Sequence, residues 1–154
     1  VHNHLKKQAV KKLILRLLVV ILAIGGVVGY VNGATPASNC NIATCSTSIG
    51  TGKVSYSQVG TGQPILLLHG LFASKEQWYD MMCQLSEAGY RAIAPDLPGY
   101  GSSTGFTVRD YALENQAALL HQFTDRLGMR SLHIAGSSMG GAIALQISND
   151  DRPG

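Results

Sequence analysis

Gly136-Ser137-Ser138-Met139-Gly140 is the stretch on which the reading of this chain turns. Ser131-Leu132-His133-Ile134-Ala135 precedes it, a short apolar run, and a second apolar run from Met139 to Ile147 follows. The pattern predicts a strand, a sharp turn and a helix, with Ser138 at the apex. Such a turn lifts a serine hydroxyl clear of a sheet edge, where it can act as a nucleophile. Gly136 and Gly140 have no side chains, so strand and helix can approach closely there. The five-residue pattern is weak alone, and the sequence around it has to supply the context.

Upstream, Val54-Ser-Tyr-Ser-Gln-Val59 alternates apolar and polar residues, the period of a half-buried strand. Gly60 to Pro64 is a turn, and Ile65 to Leu68 is a continuous apolar run of the kind found in buried parallel strands. The loop His69-Gly70-Leu71-Phe72 follows. Ser74, with Gln77 three residues on, has the spacing of a reciprocal helix cap. The helix so opened carries Trp78, Met81, Met82 and Leu85 on one face and stops at Gly89. Arg91 to Pro95 is another short strand, and Asp96 to Ser103 a glycine-rich loop. Thr107 and Asp110 mark the next helix start. Its expected apolar stripe is Tyr111, Ala112, Ala118, Leu119, Phe123 and Leu127, and Gly128 ends it. Strands alternating with helices imply an α/β fold: a mostly parallel sheet with flanking helices.

Charge separates the N-terminus from the rest. Residues 1–16 hold five basic side chains and no acid, whereas the remainder carries seven basic and nine acidic ones. No later basic patch with interleaved aromatics appears, so nucleic acid is not an expected partner. From Leu13 to Val31 the chain is apolar except for Arg16. Nineteen helical residues span about 28 Å, close to a bilayer core. The basic flank keeps the N-terminus in the cytoplasm and exports the rest. Residues 1–31 are therefore expected to be a transmembrane signal anchor or a cleaved signal peptide, and residues 32–52, rich in Ser, Thr, Asn and Gly, a linker. The globular part is expected from Lys53 onward. Localisation follows: membrane-anchored with the globular part periplasmic or extracellular, or secreted if the signal is cleaved. In an exported chain Cys40 and Cys45 could close a small loop, or remain two unpaired thiols. Cys83 lies on an apolar helix face and is expected in the core.

Three loops thus leave the C-terminal ends of three strands, the edge where ligands bind in open α/β sheets. His69-Gly-Leu-Phe72, Asp96-x-Pro-Gly-x-Gly-x-Ser103 and the serine bend, in that order, resemble the α/β-hydrolase superfamily. Within it the chain is similar to lipases and esterases of the monoacylglycerol-lipase-like kind. The resemblance covers residues 53–148, the N-terminal half of such a domain. It implies that Ser138 is the nucleophile, that the Leu71 N–H is one oxyanion donor, that His69 shapes the oxyanion loop, and that Asp96 ties down its own loop. The second donor is the Met139 N–H, at a helix start where amides are unpaired and the dipole favours an anion. A serine at the bend, by the way the family divides, favours ester or other acyl hydrolysis over opening of epoxides or haloalkanes. The implied substrate is a small-molecule ester or lipid, with no metal or organic cofactor. His133 is expected as a packed sheet histidine and His121 on an exposed helix face.

The superfamily's triad runs Ser, then Asp or Glu, then His. No histidine follows Ser138, so the chain is expected to be an inactive fragment of a longer enzyme. Other serine-dependent activities (carbon–carbon bond hydrolysis, amide hydrolysis, acyl transfer) and a non-catalytic membrane-tethered binding protein are the alternatives.

Overall fold

The computed structural model describes residues 40–149. The elements are β1 (Ala43–Ile49), β2 (Gly52–Val59), β3 (Gln63–Leu68), a 3-10 turn (Lys75–Trp78), α1 (Tyr79–Glu87), β4 (Tyr90–Pro95), a 3-10 turn (Val108–Tyr111), α2 (Leu113–Arg126), β5 (His133–Gly136) and α3 (Met139–Asn149).

The five strands form one sheet in the order β1-β2-β4-β3-β5. β3 pairs in parallel with both β4 and β5, while β1–β2 and β2–β4 are antiparallel. The sheet is therefore mixed rather than mostly parallel. The β1–β2 pair is antiparallel because the two strands are joined by the two-residue turn Gly50-Thr51, with Gly50 at φ +52° as the first central residue of such a hairpin demands.

β1 falls inside the stretch expected to be linker. Its residues are small and polar, but Cys45, Thr47 and Ile49 alternate inward along it. Serine and threonine masked this period of two, and β2 supplies the partner that the segment needs. The Cys40–Cys45 loop does not form. Cys40 is bonded to Cys83 on α1, with a Cα–Cα distance of 5.5 Å, and Cys45 is a free thiol. The sheet separates the two candidates: Cys45 packs on the core that faces α2 and α3, whereas Cys83 lies on the opposite face.

β3 shows why the sheet has two cores. Leu66 and Leu68 point to one face and join Val54, Ile93, Phe123 and Ile143 beneath α2 and α3. Ile65 and Leu67 point to the other and meet Met82 of α1 across Ala92 and Ala94. The two alanines leave room for α1, and all four β3 side chains are buried. At about 1.5–3 kcal/mol each, these side chains fix the strand at the centre of the sheet. Tyr56 and Phe123 add an edge-to-face contact at 5.2 Å.

Two helix faces differ from expectation in register. On α2 the buried residues are Gln116, Ala117, Leu119, Leu120, Phe123 and Thr124, while Tyr111, Ala112 and Ala118 face outward. Met81 is exposed, and Met82 and Cys83 carry the buried face of α1. His133 is exposed on β5, against the ring of Tyr90, rather than packed. No helix among the described residues is long and apolar enough to cross a membrane. The Leu13–Val31 segment and residues Asp150 and Asp151 lie outside the described residues.

Candidate active site

β5 ends at Gly136 and α3 begins at Met139, so the chain turns from strand to helix in two residues. Ser138 takes the strain of that turn. Its φ is +52°, and it and Phe72 are the only side-chain-bearing residues with positive φ among those described. Its position is exposed. The bend is tied to the sheet by Ser137 N–H, which donates to Leu68 C=O at 3.0 Å. The flanking glycines are required by contact. A Cβ on Gly136 would collide with the Gly140 carbonyl, and one on Gly140 with the carbonyls of Leu68 and His69. Helix, bend and β3 therefore meet backbone to backbone.

The loop after β3 lies beside the bend: a Cβ on Gly70 would sit 3.5 Å from the Cβ of Ser138. Both ends of the Gly70 unit are held. Gly70 N–H donates to Gln77 Oε1 at 3.0 Å, and Gly70 C=O accepts from His69 Nδ1–H at 2.8 Å and Ala73 N–H at 3.2 Å. Because a trans peptide points its C=O and N–H in opposite directions, fixing the Gly70 carbonyl fixes the Leu71 N–H as well. His69 is wholly buried, and its Nε2 accepts from the Leu97 N–H at 3.0 Å, which leaves the proton on Nδ1. Burial holds its pKa below the usual histidine value, against smaller opposing effects of the Gly70 hydrogen bond and of Asp96. A neutral ring with both nitrogens engaged fits the expected structural role.

Asp96 also behaves as expected and goes further. Its carboxylate accepts from Ser102 N–H at 2.8 Å, tying its own loop, and from the backbone N–H of Lys75 at 2.8 Å. Lys75 Nζ completes a buried ion pair at 2.7 Å. Burial works against the Lys75 charge, but hydrogen bonds to Asp96 and Glu76 outweigh it and raise its pKa. Burial likewise opposes the Glu76 charge, and hydrogen bonds from Ser74 and Lys75 prevail, holding that carboxyl at about 2. The Asp96 loop and the segment after His69 are thus bound to each other.

Sequence reasoning missed Lys75, since a lysine between Ser74 and Glu76 reads as surface. It also assigned Gln77 to a cap that does not form: Ser74 makes no side-chain cap, and the Gln77 side chain reaches Gly70 instead. The Thr107–Asp110 cap does form, in front of a 3-10 turn rather than of α2 itself.

Between the two bound loops and the bend lies a cavity of about 730 Å³. Leu71, Phe72, Tyr100, Tyr111, Gln116 and Met139 are in its wall. Leu71 and Met139 thus border one cavity, with Ser138 adjoining Met139 in the chain. Among the described residues no group of three or more His, Cys, Asp or Glu side chains is placed to hold a metal ion.

A parallel core with a strained serine bend and a histidine-glycine loop at the same strand ends is the architecture of the α/β-hydrolase fold. The chain belongs to the α/β hydrolase fold family, whose model matches residues 63–151. It is 40% identical over 86 residues to Lipase 3 of Moraxella sp. (strain TA144), covering 55% of this chain and 27% of that protein. To Lipase 1 of Psychrobacter immobilis it is 38% identical over 96 residues, covering 60% and 30%. A putative lipase from Acinetobacter baumannii AYE superposes with a TM-score of 0.66 at 34% identity, over 70% of this chain and 36% of that one. An epoxide hydrolase from Vigna radiata gives 0.66 at 25% identity, over 69% and 33%. The chain spans about a third of the length of the curated relatives it matches.

Proposed function

We propose that the intact protein hydrolyses carboxylic esters, as a lipase or esterase, through an acyl intermediate on Ser138. One observation carries this reading above the others: a serine sits exposed at φ +52° between β5 and α3, against Gly70. A strained side chain of this kind persists where the surroundings over-determine it, and such residues cluster at active sites. The Ser138 hydroxyl attacks the acyl carbonyl, the alcohol leaves, and water releases the acid. The negative charge that develops on the carbonyl oxygen is met by the N–H groups of Leu71 and Met139. Preorganised donors of this kind contribute about 3–4 kcal/mol each to the transition state.

His69 has both nitrogens committed, and His133 opens β5 at the opposite end of that strand from the serine bend. By resemblance the base and its acid come after the nucleophile, so a form without them turns esters over more slowly than an intact enzyme, by about 10⁴-fold or more. Lipase-named relatives support ester over epoxide chemistry, and so does a serine rather than a carboxylate at the bend. Membrane attachment through residues 13–31, with the hydrolase part outside the cytoplasm, belongs to the same proposal.

A fluorophosphonate probe tests the nucleophile. It is expected to label the intact protein at Ser138, and Ser138→Ala is expected to lose both labelling and p-nitrophenyl butyrate turnover. Turnover that survives Ser138→Ala overturns the reading. Alkaline carbonate extraction is expected to leave the anchored protein in the membrane pellet.

A further inference from the structure

Gln116 enters the wall of the cavity from the first turn of α2 and is only 1% exposed. Its Nε2 donates to the Tyr111 C=O at 2.9 Å, which fixes the amide's orientation, because only the nitrogen can face a carbonyl. Oε1 is then left buried without a hydrogen-bond partner. Trp78 Nε1 is the other such side-chain atom among the described residues, and Trp78 is not in the cavity wall. A buried acceptor without a donor costs stability that an apolar side chain of the same shape would not. Its neighbours along the wall, Leu71, Phe72, Tyr111 and Met139, are largely apolar. A few placed polar groups in a mostly apolar wall are the usual means by which a pocket orients a ligand.

We propose that Gln116 Oε1 receives a hydrogen bond from a hydroxyl of the bound substrate, and that the preferred ester carries a free hydroxyl on its alcohol or acyl part. The ester group itself cannot serve, since its oxygens only accept. A hydroxyl supplies the missing donor, and a wholly apolar ester leaves Oε1 unmatched. Discrimination of this type is strong because the penalty falls on the analogue lacking the group. Tyr111, 42% exposed, lies against Gly99 in the same wall. The inference rests on the cavity beside Ser138 being the substrate site.

Binding, rather than turnover, tests it. Calorimetric titration of the intact protein with 1-hexyloxy-2-propanol and with hexyl propyl ether, which lacks the hydroxyl, gives a ratio of dissociation constants. The wild type is expected to favour the alcohol about tenfold. Gln116→Met is expected to bring the ratio close to one. Because each ratio is taken within one variant, partial unfolding scales both affinities alike and leaves the ratio intact. No preference in the wild type, or a preference that survives in Gln116→Met, overturns the proposal. The nucleophile stands or falls separately. Failure of Ser138 to label, with the Gln116-dependent ratio intact, removes the ester chemistry and leaves the hydroxyl-binding residue.

Discussion

The two sides of the cavity are held in opposite ways. On one side His69, Lys75 and Asp96 are buried, each bonded to a different segment, and among them they fix the loops after β3 and β4. On the other, Ser138 rides at the end of β5, a four-residue edge strand with no fully buried residue, and is strained and exposed. The rigid side carries an amide and no reactive side chain. The proposed nucleophile sits on the lightly held side, located by close backbone packing of Gly136 and Gly140 against their neighbours. Stability and chemistry are thus assigned to different residues, and substitutions should separate them.

The largest effect is expected at Asp96. Asp96→Asn removes the buried partner of the Lys75 ammonium and leaves it only the half-exposed Glu76 at 3.0 Å, and breaking a buried pair this way costs about 3–5 kcal/mol. Urea unfolding should show it as a lower midpoint. Adding Lys75→Met should recover much of the loss, because the double variant has no orphan charge. A double variant as unstable as the sum of its single changes would mean that the pair does not act as a unit.

The bend comes next. Gly136→Ala places a methyl against the Gly140 carbonyl, so α3 must withdraw. Overpacking of this kind costs about 1–3 kcal/mol. The rigid side is untouched, so the folded fraction should keep the Cys40–Cys83 bond and the α1 core while the rate of fluorophosphonate labelling collapses. Equal labelling rates would show that the bend tolerates a side chain.

Ser138→Gly should act with the reverse sign on stability. Glycine accepts φ +52° without strain, so relief of about 1 kcal/mol is expected as a higher urea midpoint, with all labelling lost. A variant less stable than wild type would place the cost of the bend elsewhere.

The same contrast governs what could be read from sequence. The elements around β3, the three loops and the serine bend were legible because each rests on local spacing: an apolar run, a turn residue, a glycine that permits close approach. β1 was not, since Ser and Thr hide an alternating strand when the partner that pairs with it is unknown. The Cys40–Cys83 bond, the Lys75–Asp96 pair and the Gln77–Gly70 bond join residues brought together only by folding. Gln116 was invisible for a related reason. A glutamine at the start of an amphipathic helix reads as surface, and α2 is rotated from its expected face so that this residue points inward. What sequence spacing revealed was the serine bend. The side that holds it rigid required coordinates.

The smallest effect belongs to His69 and tests whether the rigid side is also proton-linked. Its folded pKa lies below the ordinary 6.5, burial being the main cause. Between that lowered value and 6.5 the unfolded chain binds more protons than the folded one, so stability rises with pH across the window. The contribution is complete above 6.5 and is lost as pH falls toward the folded pKa. Below that value the ring is charged in both states. Glu76, held near 2, adds a separate loss that begins only below its ordinary 4.5, so it does not overlap the upper part of the histidine window. Lys75, raised above 10.5, contributes nothing to the slope there. Urea midpoints taken from pH 7.5 down to 5 should therefore decline in the wild type and stay nearly level in His69→Gln, which can still donate and accept but does not titrate. Parallel declines in the two proteins would assign the slope to another group and leave the buried imidazole a purely geometric support for the Leu71 amide.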